Sequence, residues 1–211
     1  LYYFVMEYVD GRTVAQLLDR GGSLDERRAV GIAHQIAQAL AHAHEHHMVH
    51  RDVKPANIML TKSGVAKLCD LGFALVRRSV EEGEDGVLGT PTYISPEQAR
   101  GDKDLDIRSD IYSLGATVYH ALTGRPPFEG PDAAAVIAKH LSERPVPPIH
   151  VNRELSPETS RLVERMMEKR RANRFQTPRE LVKELDKLLL LLAGQAGQVA
   201  APRHAESASA R

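Results

Sequence analysis

The 211-residue sequence has no tryptophan, one cysteine, few aromatic residues and no excess of charge of either sign. Because Cys69 has no second cysteine to pair with, an internal disulfide is excluded and a reducing, intracellular setting is favoured. The 28 basic and 28 acidic side chains balance, which argues against bulk binding to nucleic acid. The run of five leucines at 188–192 is too short to span a bilayer, so we expect no membrane segment in this chain.

What the sequence does contain is the pattern of a helix-rich domain with one core. Hydrophobic residues make up 42% of the chain and recur mostly at helical spacing. The pattern predicts a mainly α (α+β) fold, with a long helix after the capping-box spacing of Ser23 and Glu26. Predicted helices are 13–20, the helix that follows the Ser23 cap and runs to about 46, 109–122, 132–142, 157–170 and 178–193. Predicted strands are 2–9, ending in a turn at Asp10-Gly11, 58–60 and 66–68.

Two segments lack periodicity. Residues 70–97 predict a long loop, and loops of that length are usually functional or disordered. Residues 194–211 are rich in Ala, Gly, Gln and Ser and predict a disordered tail or linker.

Five histidines in the stretch HAHEHHMVH (42–50) raise the question of a metal site. His42 and His46 are four residues apart and share a helix face, which is a spacing seen in metal ligands. The zinc-protease pattern H-E-x-x-H fails, however, because Met48 stands where its second histidine should be. We therefore favour a solvated helix end, where histidine suits the helix dipole, over a metal site.

The stretch HRDVKPAN (50–57) is different, because an acid, a lysine and an amide lie at fixed offsets and Asp70-Leu71-Gly72 follows. These residues resemble the catalytic loop and the metal-binding triplet of protein kinases. The resemblance continues in order through GTPTYISPE (89–97), SDIYSLG (109–115) and LTGRPPF (122–128), and it covers about 1–190. The residues in these motifs are most similar to those of the bacterial, eukaryotic-like serine/threonine kinases.

The resemblance implies a kinase hinge and C-terminal lobe, with the β-rich N-terminal lobe absent from this chain. Residues 1–12 would be the hinge strand and connector, and 13–193 the C-terminal lobe. Within that lobe, 50–57 would be the catalytic loop and 70–97 the activation segment. A tail or linker would follow at 194–211.

By the same resemblance, Asp52 would orient the substrate hydroxyl and accept its proton, and Lys54 would neutralise the moving phosphoryl group. Asn57 and Asp70 would hold Mg²⁺ through oxygen atoms, which that cation prefers. Thr90 would brace Asp52 and Lys54.

For ATP, the resemblance makes Met6 the gatekeeper of the hinge. The backbone of Glu7 and Val9 would contact the adenine edges, and Met59 would lie under the ring. For Met6 and Met59, the role of plain core methionines remains open.

Three further expectations are structural. His50 and Leu71 would pack in the internal hydrophobic stack of the lobe, and Asp110 would cap backbone amides of the catalytic loop. The carboxylate of Glu97 and the guanidinium of Arg174 would form a buried ion pair.

A fourth expectation concerns regulation: Arg51 would pair with carboxylates of the acidic run 81–85 in place of a phosphate, or that run is simply a solvated charge cluster.

The sequence therefore predicts a serine/threonine protein kinase that transfers the γ-phosphoryl group of ATP to protein Ser/Thr hydroxyls. Its partners would be ATP, Mg²⁺ and a protein substrate, its location would be cytoplasmic, and a membrane anchor on the parent protein is left open. The glycine-rich loop, strand lysine and helix glutamate of the family do not precede the hinge, so we expect a truncated domain that is inactive alone. The alternative is a non-catalytic scaffold that docks partners through helix 132–142 and loop 89–97.

Overall fold

The computed structural model describes residues 7–70 and 91–199, and helices dominate that part of the chain. The helices are α1 (Val14–Gly21), α2 (Glu26–Glu45), α3 (Pro96–Arg100), α4 (Ile107–Thr123), α5 (Ala133–Ser142), α6 (Pro148–Val151), α7 (Pro157–Met166) and α8 (Pro178–Val199), with 3₁₀ turns at Pro55–Asn57 and Arg171–Asn173. The strands β1 (Gly11–Thr13), β2 (Ile58–Thr61) and β3 (Ala66–Leu68) form one antiparallel sheet in that order. The predicted mainly helical class with little β-structure is confirmed.

The first strand differs from its prediction. Residues 7–10 lie outside the sheet, and β1 begins at Gly11, where a turn was expected. β2 has only four residues, and three of them pair with 11–13, so residues 7–9 have no β2 partner in that ladder. Gly11 serves close approach rather than a turn, because a Cβ atom there would lie 2.1 Å from the carbonyl oxygen of Leu60.

The start of α2 also differs. The N-cap is Asp25, whose carboxylate accepts the Arg28 N–H at 3.0 Å, and the predicted Ser23–Glu26 capping box is wrong. Glu26 is instead used in a tertiary contact. Its Oε1 accepts the N–H and Oγ–H of Ser156, at 2.9 and 2.6 Å, at the N-terminus of α7.

Helix α4 is the centre of the core and is buried along almost its whole length. It packs against α2 and α7, and α8 packs on the outer side of α2. Gly115 lets α4 and the end of α7 approach closely, since a Cβ atom there would lie 2.8 Å from the Cβ of Met166. The position of α4 is therefore fixed by packing on several sides, and the site residues that it carries inherit that position.

Other boundaries shift by a few residues. α7 ends at Met166 rather than at 170, because the carbonyls of Glu168 and Lys169 accept bonds from the Arg174 side chain instead of from helix amides. α8 continues to Val199, so the disordered tail predicted from 194 is wrong for residues 194–199; Ala and Gln extend an existing helix at little cost. The short helices α3 and α6 were not predicted. Predictions for Met6, Leu71, Thr90, the acidic run 81–85 and residues 200–211 lie outside the described residues.

Candidate active site

The predicted catalytic loop is hydrogen-bonded to the central helix α4. Asp110 of α4 is fully buried, and its two carboxylate oxygens accept the N–H groups of His50 and Arg51, each at 2.7 Å. Burial raises the pKa of Asp110 to about 7, and the two amide donors oppose that change. Arg51 has a left-handed φ of 68°, a conformation that costs free energy. The pair of hydrogen bonds to Asp110 stabilises it. The predicted capping role of Asp110 is confirmed.

His50 ties the same loop to the end of β3. Its ring is buried, as predicted, with Nδ1 accepting the Asp52 N–H at 3.3 Å and Nε2–H donating to the Cys69 carbonyl at 2.9 Å. Burial lowers the pKa of His50, which favours the neutral ring that this pair of bonds requires. The other four histidines of the stretch lie exposed at and beyond the end of α2, where their solvated placement was predicted (His42, His44, His46 and His47).

Three of the predicted catalytic side chains meet at one oxygen. Oδ2 of Asp52 accepts hydrogen bonds from Lys54 Nζ at 2.8 Å and from Asn57 Nδ2 at 2.8 Å. Asn57 is buried, and the same Nδ2 also donates to the Asp52 main-chain carbonyl at 2.8 Å. The 3₁₀ turn at Pro55–Asn57 produces this return of the chain onto Asp52. Because both bonds of Asn57 use Nδ2, its Oδ1 is turned away from Asp52 and can serve as a ligand for a cation.

The β2–β3 hairpin brings Asp70 to the same place. Asn57 precedes β2 and Cys69 follows β3, and the Cys69 N–H donates to the Asn57 carbonyl at 2.8 Å. Asp70, the next residue, is exposed and has a φ of 64°. The backbone of Asp70 therefore lies near that of Asn57, and the carboxylate and amide oxygens of these two residue types suit a hard cation such as Mg²⁺.

The predicted nucleotide-contacting residues lie along the other face of the sheet. In β2, Ile58 and Leu60 point into the core, whereas Met59 is half-buried on the opposite face, opposite Lys67 of β3. The ammonium group of Lys67 pairs with the carboxylate of Glu7, so the chain at Glu7 and Val9 lies next to that face. Glu7, Val9 and Met59 therefore lie on one side of the molecule, with Asp70 at the end of the same hairpin.

Residues 91–97, which we call the docking segment, are anchored by a buried ion pair. Arg174 and Glu97 have fully buried side chains and form two bonds, Nη1 to Oε1 at 2.6 Å and Nη2 to Oε2 at 2.9 Å. The remaining three N–H groups of Arg174 donate to carbonyls of Glu168, Arg108 and Lys169, so all five donors are used. Burial opposes ionisation of Glu97, but Arg174 and the Ser109 hydroxyl outweigh it and lower its pKa. The predicted ion pair is confirmed.

One residue that contacts the site was missed at the sequence level. Gln98 donates from Nε2 to the Arg51 carbonyl at 2.8 Å and so joins α3 to the catalytic loop. Gln98 is also the third helical residue of a capping box with Ser95. The Ser-x-x-Gln spacing could have revealed the start of α3, although the long-range contact with Arg51 leaves no pattern in the sequence.

Comparison with known proteins decides the family. The family model of the protein kinase domain matches residues 1–185. The chain belongs to the protein kinase family. The resemblance drawn from HRDVKPAN and SPE is thereby confirmed, and the helices described above form the kinase C-terminal lobe. Thr90 remains a prediction.

Several bacterial kinases are similar to this kinase chain. Serine/threonine-protein kinase PknB of Mycolicibacterium smegmatis is 43% identical over 190 residues, covering 88% of this chain and 30% of that protein. PknB of Mycobacterium tuberculosis is 40% identical with the same coverage. The probable serine/threonine-protein kinase CPE1738 of Clostridium perfringens is 39% identical over 187 residues, 88% of this chain and 27% of that protein. The chain thus spans less than a third of each relative. Among the described helices, none has the length and apolarity needed to cross a bilayer.

Proposed function

We propose that this chain carries the catalytic residues of a serine/threonine protein kinase, which transfers the γ-phosphoryl group of ATP to a Ser or Thr hydroxyl of a protein. The observation that carries the proposal is the convergence of Lys54 and Asn57 on one oxygen of Asp52. The relatives named as serine/threonine kinases support the choice of acceptor.

In this proposal, Asp52 acts as the base for the acceptor hydroxyl. Its Oδ2 is held by two N–H donors, and its other oxygen accepts the hydroxyl hydrogen bond and takes the proton. The hydroxyl oxygen then bonds to the γ-phosphorus as the bond from phosphorus to the ADP oxygen breaks. Lys54, 2.8 Å from Asp52, is placed to neutralise charge on the phosphoryl group in transit.

The residues also fit the two cofactors that kinases use. Oδ1 of Asn57 and the carboxylate of Asp70 would hold Mg²⁺, which neutralises phosphate charge. The adenine would lie over Met59 and against the backbone of Glu7 and Val9. The backbone groups of Glu7 and Val9 do not pair with β2 and are therefore available to the adenine. Thr90 is proposed to brace Asp52 and Lys54. We place the reaction in the cytoplasm, because ATP is present there and the unpaired thiol of Cys69 suits its reducing conditions.

The sequence from Leu1 to Glu7 contains no glycine-rich phosphate loop. Single groups of that kind are worth about 10²–10³ in rate, so we propose little transfer by these 211 residues alone. The proposed activity is therefore that of the kinase in which this lobe is joined to an upstream nucleotide-binding lobe.

The test is transfer of labelled γ-phosphate from Mg·ATP to dephosphorylated casein, with the 211-residue chain and with the chain extended upstream. We expect transfer only by the extended protein, and a loss of at least about 10²-fold in Asp52→Asn. Asp186→Asn changes an exposed aspartate of α8 in the same way and should keep full activity.

Binding of a fluorescent ATP analogue in the presence of Mg²⁺ separates the remaining outcomes. Asp52→Asn should bind as the unchanged protein does, because Asp52 is assigned to the acceptor and not to the nucleotide. If the extended protein neither transfers phosphate nor binds the analogue, the kinase proposal is wrong, and a docking scaffold becomes the better explanation.

A further inference from the structure

The docking segment has a second buried anchor besides Glu97. The main-chain carbonyl of Thr92 accepts a hydrogen bond from Nε2–H of His140 in α5, at 3.0 Å. His140 is fully buried, and its ring makes edge contacts with the rings of Phe128 and Tyr112, at centroid distances of 4.8 and 5.7 Å.

Helix α5 buries a histidine, which is unusual for a residue with two polar ring nitrogens. Of its ten residues, only Val136 and His140 are buried. A leucine at the second position would gain free energy from burial alone, whereas a histidine adds polar atoms that need partners. The two ring nitrogens of His140 have such partners, which indicates a role for them beyond packing.

The hydrogen bonds at His140 form a chain with one direction. Lys169 Nζ, which can only donate, bonds to the Tyr112 hydroxyl at 3.1 Å. The Thr92 carbonyl can only accept, so Nε2 must carry the proton donated to it, and in the neutral ring the Tyr112 hydroxyl then donates to Nδ1 at 3.0 Å. The Thr92 carbonyl thus fixes which tautomer the neutral His140 ring adopts, and the Lys169 bond leaves the Tyr112 hydroxyl proton available for Nδ1.

Lys169 is itself held firmly. Its ammonium group also donates to the carbonyls of His140 and Lys139 at the end of α5, at 2.9 and 3.3 Å, and lies 4.4 Å from the ring centroid of Phe128. Its own carbonyl accepts a bond from Arg174, which lies 4.8 Å from the ring centroid of Tyr112. The anchors at Glu97 and Thr92 therefore share partners and act on one segment from adjacent positions.

We propose that His140 is a positioning residue for the acceptor protein, because its Nε2–H fixes the carbonyl of Thr92 and with it the course of the docking segment. This inference rests on the proposed function and adds to it that the acceptor protein lies against the docking segment. His140 touches neither ATP nor the reacting atoms; it acts through Thr92.

The charge state of His140 agrees with this role. Burial, together with the nearby charge of Lys169, lowers the pKa of His140 to about 4. At neutral pH the ring is therefore uncharged, and it retains the acceptor at Nδ1 that the hydroxyl of Tyr112 needs.

Two substitutions separate the effects of the two hydrogen bonds of the His140 ring, because each keeps one of them. In His140→Gln the amide nitrogen reaches the place of Nε2 and keeps the bond to Thr92. In His140→Asn the shorter amide reaches only the place of Nδ1, so the bond from Tyr112 is kept and that to Thr92 is lost. The two variants match in charge and in functional group; they differ by one methylene and in the hydrogen-bond partner that is retained.

In the extended kinase, we expect His140→Asn to raise the KM for dephosphorylated casein by about five- to tenfold, the effect of losing one buried hydrogen bond. His140→Gln should stay within about twofold of the unchanged protein. The KM for ATP should be the same in all three. An equal rise in both variants, or a parallel rise in the KM for ATP, would overturn the proposal.

A second measurement does not depend on activity and uses the 211-residue chain. Amide hydrogen exchange across the docking segment should be faster in His140→Asn than in His140→Gln, while exchange in α4 stays the same in both. Equal exchange in the docking segment would reject the role of His140 even if the kinase is active. Faster exchange confined to His140→Asn would support the role of His140 even if no phosphate transfer were found.

Discussion

The docking segment and residues 7–10, the predicted hinge, border the same candidate site but are held in opposite ways. Glu97 and Thr92 are bonded to Arg174 and His140, whose side chains are fully buried. The hinge is held by ion pairs of exposed side chains, Glu7 with Lys67 and Asp10 with Lys62.

The difference lies in the cost of moving each part. Removing one partner of a buried ion pair costs about 3–5 kcal/mol, whereas an exposed pair is worth about 0.2–1 kcal/mol. In the proposed function the acceptor hydroxyl must lie within a narrow range of positions for attack, so a segment that costs much free energy to displace suits that side of the site. The hinge side can adjust at little cost.

The largest effect should come from Glu97→Gln. Arg174 would keep its buried charge without a carboxylate, so we expect the free energy of unfolding to fall by about 3–5 kcal/mol in urea denaturation. The double variant Glu97→Gln/Arg174→Met should recover part of this loss, because no buried charge remains.

A matched control is Glu158→Gln, which removes the same charge from the surface pair with Arg161. That variant should lose less than about 1 kcal/mol. Equal losses in Glu97→Gln and Glu158→Gln would show that the contrast between buried and exposed anchors is wrong.

An intermediate effect concerns pH. The pKa of His140 is lowered by burial to about 4, while the unfolded chain keeps the ordinary value near 6.5. Between these values the unfolded state binds a proton that the native state does not, so the free energy of unfolding should fall as pH falls from about 6.5 to about 4. The full loss is about 3 kcal/mol, since a tenfold change in an equilibrium is about 1.4 kcal/mol.

Urea denaturation at pH 7 and pH 4.5 measures this loss, with His140→Gln as the reference. Burial also lowers the pKa of His50 and His120, and these two residues contribute to both proteins alike. The difference between the two pH dependences therefore isolates His140. A slope as steep in His140→Gln as in the unchanged chain would contradict the assignment.

The smallest effect should come from Glu7→Gln at the hinge. The exposed pair with Lys67 should contribute less than about 1 kcal/mol to the free energy of unfolding, and less still at 0.5 M salt. A loss comparable with that of Glu97→Gln, unchanged by salt, would place the hinge among the firmly held parts and remove the comparison.

Prediction from sequence succeeded where the signal is local or belongs to an ordered set of motifs. Helical periodicity located α4 and α5, and the motif order located the Asp52 loop and the ion pair of Glu97 with Arg174. Boundaries failed where a distant residue decides them. Glu26 bonds to Ser156 instead of capping its own helix, and Arg174 takes the carbonyls at the end of α7.

The contacts of Gln98 and His140 could not be predicted for a similar reason. Their partners, Arg51 and Thr92, lie 47 and 48 residues away, and main-chain carbonyls have no sequence identity to match. Only the packing of α3 and α5 within the folded lobe brings these groups together.

The bond between Glu97 and Arg174 also has a consequence in time. The two residues are 77 positions apart, so a chain emerging from the ribosome presents Glu97 well before its partner has been synthesised. At about 5–20 residues per second, that interval is roughly 4–15 s. During this interval the carboxylate of Glu97 stays hydrated, and the anchoring of the docking segment is completed only after α7 has been made. Translation therefore finishes the loop around Asp52, which is the proposed site of phosphoryl transfer, before it finishes the anchoring of the proposed acceptor surface.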